Sequence, residues 1–167
     1  MFREAELDHE KAYGYLQVKT GSEKRAADII NTIFPEVESY AITQIKHKSC
    51  KGVRSYSCSV MVPGYILFRA DQEMRVSQLH TVTSVLQVLT YDHQKWQLKG
   101  KDLFCAKWLF DHDGAIGVSI VFIEGDVIKV IDGPLKEVEG RIVRIDKKNR
   151  NALVALDLHR QTCKVWL

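Results

Sequence analysis

Two clusters of basic residues offer the clearest chemistry in this chain. Lys46, His47, Lys48, Lys51 and Arg54 follow one another with no acid between Gln44 and Arg54. Arg141, Arg144, Lys147, Lys148 and Arg150 crowd a second stretch in which Asp146 is the only acid. Such clusters either form a solvated face or neutralise phosphates. Each phosphate contact releases counterions, so affinity would fall steeply with salt. His47 and Tyr56 add ring surfaces beside the first cluster, suited to stacking on unpaired bases. The net charge of +3 is too small by itself to name a nucleic-acid partner. The distribution of the charge says more than its sum.

Nucleophilic and metal chemistry find less support. Cys50 lies near His47 and Cys58 near Arg54, spacings at which a thiol could be activated. No motif orients a base or builds an oxyanion hole, so an enzyme is not expected and no cofactor is implied. Cys50, Cys58, Cys105 and Cys163 include no C-x-x-C pair, which argues against a zinc ribbon or a thioredoxin-like site. They read as reduced thiols, some of them filling apolar space. His112, between Asp111 and Asp113, has no further ligand at a compelling spacing and reads as the polar end of a helix.

The elements that must position these residues follow from the apolar pattern. The 167 residues, 46% of them hydrophobic, suit one globular domain or two small ones. No apolar run reaches the roughly 20 residues needed to span a bilayer, so no membrane partner is expected. The acidic leader, residues 1–12, has no apolar core and does not read as a secretory signal, which points to the cytoplasm.

Tyr13 to Lys19 reads as a strand, with Tyr13, Tyr15, Gln17 and Lys19 opposed to Gly14, Leu16 and Val18. Thr20 and Glu23 have capping-box spacing for a helix in which Ala26, Ala27, Ile30, Ile33 and Phe34 form the apolar stripe, ending before Pro35. A second strand is expected over Ser39 to Lys46, a polar hairpin tip over His47 to Ser59, and a third strand over Tyr65 to Arg69. Gln72 to Thr81 suggests a helix with Val76, Leu79 and Val82 inward, followed by a strand over Val85 to Thr90 and a helix over Gly100 to Phe110 that stacks Phe104 on Trp108.

This β-α-β-β-α-β order is the ferredoxin-like pattern, with two helices on one face of an antiparallel sheet. Beyond it the pattern is all-β, with strands over Asp126 to Ile131, Arg141 to Asp146, Asn151 to Asp157 and Thr162 to Trp166. The fold class is therefore α+β, with a domain over 13–111, a linker over 112–122 and a small SH3-like β-barrel over 123–167.

Two local patterns then coincide. The first half has a Gly21-Ser22-Glu23 corner after its first strand and Pro63-Gly64-Tyr65 before its third. The second half has Glu124-Gly125-Asp126-Val127, then Asp132-Gly133-Pro134-Leu135 and Glu139-Gly140-Arg141-Ile142-Val143, which is similar to a KOW motif. The ordered pair resembles the NusG family of transcription elongation factors. That resemblance implies a non-catalytic, monomeric protein whose N-terminal domain sits on the clamp helices of RNA polymerase, through positions that fall on Tyr13, Val62 and Tyr65. It also implies a surface toward non-template DNA at Arg75, Ser77 and His80, and recruitment of a ribosomal or termination-factor partner through the KOW corner Gly133, Pro134 and Leu135.

Housekeeping members carry aromatics where this chain has Met61, Val62 and Leu135. The linker Gly114 to Ser119 and the basic turn Asp146 to Ala152 are similar to the LoaP subgroup. LoaP-type proteins are processive antiterminators that recognise a leader RNA hairpin, which would fall to Lys46, His47, Lys48, Lys51, Arg54, Lys147, Lys148 and Arg150. A housekeeping NusG-type factor and a KOW-type ribosome- or RNA-binding module are the alternatives.

Overall fold

A computed structural model describes residues 11–91, 94–158 and 161–167, with the side chains at 139, 156–158 and 161–164 left aside. Of the acidic leader only Lys11 and Ala12 fall within these residues, and the side chain of Cys163 lies outside them. The first half is built on an antiparallel sheet of β1 (Lys11–Val18), β2 (Glu38–Ala41), β5 (Tyr65–Asp71) and β6 (Val85–Val88). Its order, β2-β5-β1-β6, is that of a ferredoxin-like sheet. Central β1 pairs with β5 from Lys11↔Asp71 to Gln17↔Tyr65.

Both faces of this sheet are covered. Leu16, Val18, Ile66, Phe68 and Ala70 pack on one face against Ala26, Ala27 and Ile30 of α1 (Glu23–Ile33), and against Leu79 and Val82. Tyr13, Tyr15 and Leu67 point to the other face, into a cluster with Trp108, Leu109 and Phe110 of α2 (Gly100–Asp111). The alternation read from β1 is the one observed, because successive strand residues point to opposite faces. Gly14 has a packing role of its own. A Cβ there would meet the Phe68 ring at 2.7 Å and Trp96 at 2.9 Å, so glycine leaves room for the Phe68–Trp96 stack.

The second half supplies β8 (Ile120–Glu124), β9 (Val127–Asp132), β10 (Ile142–Asp146), β11 (Asn151–Leu158) and β12 (Gln161–Trp166). β8 pairs with β9, and β10, β11 and β12 form an antiparallel three-stranded sheet. Val130, Leu135, Val138, Ala152, Val154 and Val165 are buried in the same cluster that holds Tyr13, Tyr15 and Trp108. The core of the barrel is therefore continuous with one face of the first sheet.

Several expectations are corrected. The single strand over Ser39 to Lys46 is two strands, because the chain changes sheets at the fully buried Ile42. β2 stays with β5, while β3 (Thr43–Cys50) pairs with β4 (Val53–Val60), and the Thr43 amide donates to the Gly114 carbonyl at 2.8 Å. The stretch read as a hairpin tip is a regular ladder, closed at Lys51 and Gly52 with φ of 49° and 79°. Positive φ at both central residues is what a tight I′ turn requires. The helix expected over Gln72 to Thr81 is only a 3-10 segment, Val76–Thr81, in line with the weak helix propensity of its β-branched residues.

On α1, Ile33 is 56% exposed and does not join the apolar stripe, and Phe104 on α2 is 47% exposed while Trp108 is buried. Within the stretch read as linker, β7 (Ala115–Ile116) pairs in parallel with β3, and β8 pairs with β9.

The helix start is corrected in a way that reaches across the fold. Thr20 does not cap α1; Ser22 occupies the N-cap without a side-chain bond. The Glu23 carboxylate instead accepts from the Gly21 amide at 3.0 and 3.1 Å and from the Gly64 amide at 2.7 Å. Glu23 is only 2% exposed. Burial would raise its pKa, but the amides of Gly64, Glu23 itself and Gly21 outweigh this and hold it below the usual 4.5.

A depressed carboxylate pKa stabilises the folded state above the unfolded value and loses that contribution as pH falls through the folded value. Glu23→Gln should lower stability by about 2 kcal/mol at neutral pH. The gap from the parent should shrink as pH drops from 4.5 into more acidic solution. Denaturant unfolding across that range checks it; equal stabilities at neutral pH would remove the ionised carboxylate from the account.

Candidate nucleic-acid and docking surfaces

The first basic cluster lies along the β3–β4 ladder. His47 and Tyr56 are register partners, and their rings meet edge-on at 5.5 Å. Lys48, Lys51 and Arg54 are exposed, while Lys46 is half-buried with its ammonium 5.8 Å from the centre of the Trp166 ring. That cation–π contact ties the hairpin to the last strand of the barrel.

Of the second cluster, Arg141 precedes β10 and Arg144 lies on it, while Lys147, Lys148 and Arg150 are exposed on the β10–β11 turn. Arg150 has φ of 51°, and its carbonyl accepts from the Leu167 amide at 2.9 Å. Asp146 accepts from the Asn149 side chain at 2.8 Å and its amide at 3.1 Å. These bonds, the side-chain bond first, hold the Asp146 carboxyl below its usual range. The acid in the cluster thus shapes the turn that displays the cations.

Folding brings the two clusters together. His47, Arg54 and Tyr56 line a groove of about 630 Å³ together with Lys147 and Arg150 and with the apolar side chains of Val118, Ile120, Val121, Ile123 and Ile145. Lys46, which faces Trp166 instead, does not line it, and neither do Lys48, Lys51 and Lys148. Sequence reasoning missed the apolar part, because those residues come from the stretch read as linker and from barrel strands. Arg75, at the N-cap of the 3-10 segment, and Ser77 and His80 within it are exposed and belong to neither cluster.

The positions expected to meet polymerase sit differently. Tyr13 and Val62 are buried, at 9% and 6% exposure, and Tyr65 is half-buried at the start of β5; all three belong to, or pack on, the core shared with the barrel. The Tyr13 ring meets Phe110 edge-on at 5.2 Å, and the Arg69 guanidinium lies 6.0 Å from the Tyr13 ring centre. Arg69 is itself bonded to Glu38 at 2.6 Å.

The KOW corner also faces inward. Leu135 is fully buried, with its amide donating to Ser119 Oγ at 3.0 Å. Gly133 has φ of 98°, and a Cβ there would lie 2.7 Å from Ser119, so the corner requires glycine. The Pro134 carbonyl accepts from Trp108 Nε1 at 3.0 Å. Arg141 reinforces this contact, donating to Cys105 Sγ at 3.3 Å while stacking 5.0 Å from the Phe104 ring centre. His112, at the end of α2, brings Nε2 to 3.6 Å from the Glu137 carboxylate. The corner expected to receive a partner is occupied by α2 of the same chain.

Among the described residues, no group of three or more His, Cys, Asp or Glu could hold a metal ion. No helix there is long and apolar enough to cross a membrane. Cys50 and Cys58 are exposed free thiols and Cys105 is buried.

Comparison with known proteins agrees with this architecture. Residues 124–157 match the KOW motif family. No curated protein matches the chain. Among solved structures it is similar to that of NusG from Thermotoga maritima, described for its domain interaction, with 18% identity, a TM-score of 0.54, and coverage of 95% of this chain and 93% of that one. At this identity the likeness is one of fold. The chain is an α+β protein with the fold of NusG and a C-terminal β-domain bearing a KOW motif.

Trp108→Phe keeps a large ring in the core and deletes the donor to Pro134. It should cost about 1 kcal/mol and speed amide exchange at Leu135. Unchanged exchange at Leu135 would mean that this bond does not hold the corner against α2.

Proposed function

We propose that this chain is a non-enzymatic transcription elongation factor of the NusG type, specialised as a processive antiterminator that binds RNA polymerase and a leader RNA hairpin in the cytoplasm. The observation behind this reading is the likeness to NusG across 95% of the chain, combined with the KOW motif over residues 124–157. The N-terminal domain (13–111) meets the polymerase clamp helices through Tyr13, Val62 and Tyr65, with Arg75, Ser77 and His80 turned toward non-template DNA. Because Tyr13 and Val62 are buried, a partner reaches them only after the groups covering them move. The same holds for a ribosomal or termination-factor partner at Gly133, Pro134 and Leu135, where Leu135 is fully buried.

The specialised role rests on two features. Val62 and Leu135 stand where an aromatic anchor would otherwise strengthen a protein interface. Lys46, Lys48, Lys51, Arg54, Lys147, Lys148 and Arg150 supply the cations for an RNA ligand, in the manner of LoaP-type proteins.

Tyr65 is half-buried, so its truncation should leave the fold intact. Tyr65→Ala should weaken co-migration with purified RNA polymerase about tenfold, since aromatic anchors dominate many interfaces. Binding equal to that of the parent would rule out this docking face. Retention on ribosomes without polymerase binding would favour a ribosomal KOW module instead.

A further inference from the structure

The groove between the hairpin and the barrel has a composition that phosphate attraction alone does not explain. A surface that only tracks a duplex backbone needs cations and hydrogen-bond donors. Here the cations border exposed apolar surface, with Tyr56 67% and Ile120 59% exposed. Cations beside a ring and aliphatic side chains suit a single strand, whose bases can stack while its phosphates are paired. The volume, about 630 Å³, lies within the roughly 300–1,000 Å³ usual for small-ligand sites. One nucleotide with its neighbouring phosphates is of that scale. The acid closest in sequence to these cations, Asp146, is engaged by Asn149.

The cations also come from two sides. Arg54 belongs to the β3–β4 hairpin, while Lys147 and Arg150 belong to the β10–β11 turn. Neither side is a complete groove. We propose that this groove binds an unpaired RNA base against Tyr56 and His47, with its flanking phosphates held jointly by Arg54, Lys147 and Arg150. The site is whole only while the barrel is docked on the first domain, so bound RNA favours the docked arrangement by mass action. This deepens the RNA-binding reading above and rests on it. It adds which part of the RNA is held and which arrangement of the protein holds it.

The test uses the full chain and two probes: a hairpin RNA with a loop of unpaired purines, and the same stem as a fully paired duplex. The parent should prefer the looped probe. Tyr56→Ala should weaken looped-probe binding about tenfold and erase the preference. Arg54→Ala and Arg150→Ala should each weaken it several-fold and lower the salt slope by about 1. Tyr56, Arg54 and Arg150 are all exposed, so the variants should fold. Addition of the looped probe should slow amide exchange at Leu135.

Three results would each overturn the inference while leaving RNA binding intact: a loop preference that survives Tyr56→Ala, losses confined to one side of the groove, or Leu135 exchange that RNA does not slow. A parent that binds neither probe would overturn the RNA-binding reading itself.

Discussion

The central sheet has two apolar faces, and both must be kept from water. On β1, Leu16 and Val18 face one side while Tyr13 and Tyr15 face the other; on β5, Ile66 and Phe68 oppose Leu67. The helix α1 and the 3-10 segment close the first face. On the second face α2 spends part of its apolar surface on the sheet, through Phe110, and part on the barrel, through Trp108. Val130, Leu135, Val154 and Val165 complete that core from the second half. A barrel of this size has little core of its own to rely on. Sharing one with the first domain meets both needs at once.

This shared core links structure to function. The residues that would meet a polymerase and those that would meet a KOW partner sit in, or pack on, the same cluster. Both surfaces are therefore controlled by one packing arrangement. The basic groove behaves in the opposite sense, because docking assembles it from Arg54 on one side and Lys147 and Arg150 on the other. Glu23 belongs to the rigid part of this scheme, fastening the Pro63-Gly64-Tyr65 corner to the start of α1 through the Gly64 amide. That bond holds the residue just before Tyr65 in place.

Legibility followed the length scale of each interaction. The helix α1 could be read from the spacing of Ala26, Ala27 and Ile30, because burial on one face leaves a periodic record. The β3–β4 ladder left almost none, since residues such as Lys48, Arg54, Ser55 and Tyr56 are exposed on both faces and mimic a loop. The 3-10 segment borrowed the spacing of a helix through Val76, Leu79 and Val82 without the propensity to complete one. Glu23 could be recognised as a capping residue, but its main partner, Gly64, lies outside any local pattern.

The basic clusters, the KOW glycines and the ferredoxin-like order were determined by the sequence alone, since each depends on residue type and short spacing. Which face Leu135 turns to, whether Tyr13 is open to a partner, and that two distant basic clusters border one groove were decided by the tertiary structure. The physical reason is that docking depends on the summed burial of residues such as Trp108, Leu135 and Val154, contributed by separate segments. No single stretch of the chain records that sum.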